Sequence, residues 1–111
     1  MSAANRRKWE PVVVRFRELG EQVTQMRTLS EKMLALVEAL RSDGRFEHCD
    51  RWVSHVSLVV AAGRRKVAVA PDPHEQDAPY AVRVVDFTTM TTSDEVKVPA
   101  PDVAAAILER L

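Results

Sequence analysis

The chain has a single cysteine, Cys49, so it forms no internal disulfide. A lone free thiol fits a reducing compartment better than secretion. Glycine is almost as scarce, with three among 111 residues. Gly20, Gly44 and Gly63 lie too far apart to build a Walker loop, a dinucleotide-binding fingerprint or a nucleophile elbow. Aromatic residues make up 5% of the chain, which leaves no stacking platform of the kind used by single-strand nucleic-acid binders. No long hydrophobic run is present: the most apolar stretch, 56–62, is far shorter than the roughly 20 residues that span a bilayer. The N-terminus, 1–7, shows no apolar stretch of a secretory signal. Net charge is absent as well, since sixteen basic residues balance sixteen acidic ones. That argues against a chain whose task is to coat nucleic acid or an anionic membrane. These absences point to a cytoplasmic protein without membrane contact.

What remains is a globular composition. Hydrophobic residues reach 46% and charged residues 29%, too apolar for disorder and sufficient for one core. Arginine and valine are abundant, as in small proteins of GC-rich bacteria. The balanced charge hides an asymmetry: residues 1–66 hold thirteen basic and eight acidic groups, and 67–111 hold three and eight. Opposite halves of this kind attract within a fold or across a dimer, or present one basic face.

The pattern along the chain predicts a single α+β domain, 1–111. Residues 1–8 read as a flexible start and 9–41 as helical. Pro11 is tolerated in a first turn, where its missing N–H has no partner anyway. Apolar residues recur at Val12, Phe16, Leu19, Val23, Met26, Met33, Val37 and Leu40, a seven-residue register with Ser30 its one interruption. That continuity favours one long helix from Trp9 to Arg41. Gly20 and a capping-box pattern at Thr28–Glu31 offer the alternative, two helices hinged near residue 28. Gly44 is suited to a left-handed cap after the helix.

From Trp52 the period changes to alternation, and 52–98 reads as a four-stranded antiparallel meander. Its strands are Trp52–Ala61, Arg65–Ala70, Tyr80–Phe87 and Glu95–Val98. The segment 71–79, rich in proline and acid, reads as an exposed loop. A C-terminal helix follows over 102–111, with Asp102 its cap. Read as unbroken strands, one face carries Trp52, Val56, Leu58 and Val60 towards the helices. The other carries Val53, His55, Val59, Arg83, Val85 and Phe87, too apolar for a merely solvated surface.

Two surfaces follow. A straight helix of about 31 residues measures about 46 Å. It would overhang a sheet about 20 Å across. Its stripe at Phe16, Leu19, Val23, Met26 and Met33 is therefore the expected interface of a homodimer. The outer sheet face, through His55, Val59, Arg83 and Val85, or else the acidic loop 72–77, is the expected docking surface for a protein partner. Charge at Val59 or Val85 is expected to block docking without unfolding. The resulting expectation is a non-enzymatic adaptor or inhibitor. Secretion chaperones, immunity proteins and anti-defence inhibitors share this profile, and no motif selects among them.

The alternative is a nucleic-acid-binding regulator using Arg6, Arg7 and Lys8 together with Arg64, Arg65 and Lys66 at a hairpin tip. Catalysis finds less support. His48, Cys49 and Asp50 are consecutive, so their side chains alternate in direction and cannot converge on one ion. Nothing beside Cys49 marks an activated nucleophile. No cofactor or metal is implied.

Overall fold

The computed structural model describes residues 8–72 and 79–111. Helix α1 (Glu10–Gln22) and helix α2 (Arg27–Arg41) are joined by a 3₁₀ turn, Thr24–Met26. A second 3₁₀ turn, Gly44–Phe46, leads into five strands: β1 (Asp50–Ser54), β2 (Ser57–Ala62), β3 (Arg65–Pro71), β4 (Tyr80–Asp86) and β5 (Thr91–Val98). After a third such turn, Ala100–Asp102, helix α3 (Val103–Arg110) closes the chain. The strands form one antiparallel sheet in the order β1-β2-β3-β4-β5. No helix among the described residues is long and apolar enough to cross a membrane.

The expected long helix is broken. Val23 adopts an extended conformation (φ −127°, ψ 105°), and α2 starts afresh after the 3₁₀ turn. The β-branched pair Val23-Thr24 is a weak place for helix to continue. The break lies a few residues ahead of the expected hinge, and Thr28 sits inside α2 without acting as its cap. The two helices fold back on each other. Ser30 Oγ donates to the Phe16 carbonyl. A side chain on Gly20 would lie 2.8 Å from Ser30 Oγ and 2.9 Å from its Cβ. Glycine is thus required because the second helix occupies the space of a Cβ. Gly44 forms no left-handed cap either: it opens a 3₁₀ turn that Asp43 caps by accepting the Arg45 N–H.

The overhang vanishes with the long helix, and the molecule measures 35 × 30 × 30 Å. Much of the stripe that called for a second copy is used inside the chain, while Val23 at the helix break stays exposed. Phe16 and Met33 are buried in the core, and Leu19 packs against it.

The sheet has five strands where four were expected, because Trp52–Ala61 is a hairpin. His55 and Val56 make its two-residue turn, with His55 at φ 55°. Val53, Leu58, Val69, Val82 and Val96 then line up as successive cross-strand partners. This ladder meets Val12, Phe16, Leu36, Val37, Val103 and Ile107 from the helices. The turn also reverses the expected facing of β1: Val53 points to the core, and Trp52 pairs with Val59 on the outer face. Val56 reaches back instead to a small apolar hollow among Phe16, Leu19, Met26, Leu29 and Met33.

Inward parity places Arg51 in the interior at 2% exposure. Its Nη2 donates to the carbonyls of Phe46 (2.7 Å) and Cys49 (2.8 Å), and its guanidinium lies 4.4 Å from the Trp9 ring centroid. One side chain therefore ties the start of α1 to the loop before β1. At the other end, Tyr80 Oη donates to the Lys32 carbonyl and pins α2 to β4.

Strand β5 starts four residues before its expected position. A register shift opposite Val82–Val84 bulges this edge, with Asp94 at φ 51°. Arg110 Nε donates to the Asp94 carbonyl at 2.7 Å.

Gly20→Ala tests the helical hairpin. Helix propensity alone favours alanine by about 1 kcal/mol. Overpacking against Ser30 should outweigh it and leave a net loss of about 1–3 kcal/mol in urea unfolding. Pairing it with Ser30→Gly should recover part of that loss. An increase in stability for the single variant would mean the helices do not approach this closely.

Candidate docking site

The outer sheet face is the candidate site. Its central row is Trp52, Val59, Ala68 and Arg83, each the cross-strand partner of the next. Alanine recurs around it, at Ala61, Ala70 and Ala81. Larger residues close over these small ones: the Trp52 and Phe87 rings meet with centroids 6.3 Å apart and a tilt of 42°. Val59 is fully buried on this face, and Ala61, Ala68 and Ala81 are nearly so.

A groove of about 160 Å³ remains, lined by Ser54, His55, Ser57, Val59, Ala68, Arg83, Val85, Phe87, Met90 and Thr92. The four expected docking residues, His55, Val59, Arg83 and Val85, therefore come together in one depression. Val59 forms its floor and not its surface, so it is unsuited to carry charge. Arg83 is a third exposed; its Nη1 lies 3.7 Å from Glu95 Oε1, and its Nε is buried without a hydrogen-bond partner. Met90 stands at the rim, 73% exposed and at φ 56°. The turn that carries it is shaped by Asp86, whose Oδ1 accepts the N–H groups of Thr88 and Thr89.

Val85 and Phe87 are shared with an adjoining hollow of about 440 Å³ that Arg64, Lys66, Asp86 and Thr88 also line. Two of the expected nucleic-acid residues thus adjoin the docking groove. Arg65 is exposed at the start of β3, and Lys8 is exposed before α1. Arg6 and Arg7 lie outside the described residues, as does most of the acidic loop; its first member, Asp72, pairs with Lys97 at 2.9 Å.

Of the residues assigned to a dimer interface, Phe16 and Met33 are core, Leu19 and Met26 are half-buried, and Val23 is 41% exposed at the helix break. They do not form one exposed surface. Cys49 is buried while His48 points to solvent. Burial raises the Cys49 thiol pKa above its ordinary value, more than the nearby Arg51 charge lowers it. Among the described residues, no three of His, Cys, Asp and Glu are grouped to hold a metal.

Sequence reasoning missed Met90 and Arg51. The first had a signal, a lone large apolar residue within Thr88-Thr89-Met90-Thr91-Thr92. The second became visible only when the His55–Val56 turn set the parity of β1.

No family model, curated protein or solved structure significantly matches the chain.

Two measurements check this geometry. Val59→Lys should lose more than about 3 kcal/mol, since an unpaired ammonium would replace a buried methyl pair. Val85→Ser, at the half-buried wall, should lose no more than about 1.5 kcal/mol. Iodoacetamide at pH 8 should modify Cys49 at least about tenfold more slowly in the native protein than in urea, because burial hinders access and keeps the thiol protonated. Equal rates would place Cys49 outside the core.

Proposed function

We propose that this chain is a non-enzymatic docking protein, an adaptor or inhibitor, that takes a partner polypeptide on the outer face of its sheet. Met90 is the observation that carries the reading. A non-glycine residue in the left-handed region costs about 1 kcal/mol. A thioether that is 73% exposed also keeps apolar surface in water. The hairpin loop accounts for the left-handed backbone, but Met90 belongs to no part of the core, so packing does not account for a large apolar side chain at that position. A contact surface does: methionine is flexible and polarisable, and adapts to an incoming apolar side chain. Phe87, Val85 and the methyl of Thr92 continue the apolar surface, while Arg83 and His55 add polar groups that give orientation. The groove itself, about 160 Å³, is smaller than an ordinary cofactor pocket and suits recognition of a side chain.

A nucleic-acid strand is the second reading, favoured by the placing of Arg64 and Lys66 beside Phe87. Cations and one ring together suit a phosphate backbone and a stacked base. The carboxylate of Asp86 in the same hollow weakens that reading.

A photo-crosslinking residue at position 90 should yield discrete protein adducts in the native host, and one at the exposed position 38 on α2 should not. Met90→Gly should abolish the adducts captured by a probe at position 85 while leaving stability unchanged or raised by up to about 1 kcal/mol. Equal adducts from positions 38 and 90 would overturn the docking reading. For the second reading, Ala at Arg64, Arg65 and Lys66 should weaken single-strand binding and reduce its salt dependence.

A further inference from the structure

We infer that the segment docking on this face is an acidic peptide whose carboxylates flank one apolar anchor residue. The inference rests on the docking reading above and adds the chemistry of the partner. It comes from charge. The chain as a whole is neutral, yet the groove and its adjoining hollow are not. Arg83 and His55 are the titratable groups lining the groove, and Arg64, Lys66 and Asp86 are those lining the hollow. Among these lining residues three fixed cations, Arg64, Lys66 and Arg83, stand against one carboxylate, Asp86, whose Oδ1 accepts two backbone N–H groups. The lining is therefore net positive around a strip of Val85, Phe87 and Met90.

The geometry sets the spacing. Arg83 is the partner of Ala68, two residues along β3 from Lys66 on the same face. With about 3.3 Å per residue and about 4.8 Å between strands, the Cα atoms of Arg83 and Lys66 are about 8 Å apart. Val85 adjoins both. Carboxylates on either side of one leucine, phenylalanine or methionine match that arrangement. Arg83 has donors to spare for such a ligand. Its contact with Glu95 is long and exposed, a pair of the kind that contributes little to stability and yields readily. The apolar anchor then sits on Val85 and Phe87, with Met90 folding against it.

The test is selection of a displayed random peptide library on the immobilised full-length chain, with Met90→Gly as the counter-selected control. Acidic peptides holding one large apolar residue should be enriched. The synthesised winner, measured by fluorescence anisotropy, should bind at least about tenfold more weakly to Arg83→Gln and to Lys66→Gln, two surface variants whose folds circular dichroism verifies. Its affinity should fall with added salt and be unchanged by Lys8→Gln. Enrichment of neutral or basic peptides that still require Met90 would overturn the acidic partner and leave the docking reading standing. No enrichment over Met90→Gly would overturn both. Displacement of the winner by equimolar oligo(dT) would make the surface a nucleic-acid site and overturn the peptide inference.

Discussion

The close approach of Gly20 to Ser30 decides the shape of this protein. It allows two helices to lie against each other where one long helix would run past the sheet. Ser30, the one residue that interrupts the apolar register, is the residue that meets the glycine and satisfies the Phe16 carbonyl. Once the helices are folded back, their shared stripe, except at the Val23 break, faces inward and covers one side of the sheet. The C-terminal helix completes that cover. Nothing from the helical layer remains for the other side, which has to manage its own exposure.

It does so with size contrast. The middle of the outer face is built from alanine and valine, and the flanking tryptophan and phenylalanine lean together over it. A face that reads as an apolar surface awaiting a cover is in large part closed already. What stays open is the groove at one side of the rings. There, three features concentrate that stability alone does not favour: an Arg83 Nε without a hydrogen-bond partner, and a methionine and a histidine at left-handed turn positions that glycine or asparagine would fill with less strain. Strained or unsatisfied groups are more informative about function than buried ones, because selection for stability alone would remove them.

Much of the architecture was legible. The order of helices, meander and final helix follows from period, proline and turn residues, and the β2–β3 hairpin follows from Gly63, which sits at φ 61°. Two turns were not legible, for different reasons. The break at Val23 leaves the heptad phase intact, since each half buries the same stripe whether the helix continues or reverses. The turn at His55–Val56 lacks the glycine or asparagine that usually marks a two-residue hairpin. Missing it inverted the facing of β1, exchanged the roles of Trp52 and Val53, and concealed the buried Arg51. The first half of β5, Thr91 to Asp94, escaped notice because it is exposed on both faces and shows no apolar alternation, whereas the expected Glu95–Val98 carries Val96 and Val98 against the core. That Arg83 and Val85 on β4 share one face and line the groove was legible because that strand was read in its correct parity.

The bulged edge of β5 bears on how the molecule behaves at high concentration. A flat outer strand presents a row of open amides and carbonyls onto which another chain's strand can add, and growth from edge to edge ends in fibres. Here the row is interrupted. Arg110 already occupies the Asp94 carbonyl, and Asp94, Glu95 and Lys97 place charge along the same rim. The sheet therefore resists elongation at that side, and the chain can keep a sticky apolar groove open on its face without polymerising through its edge.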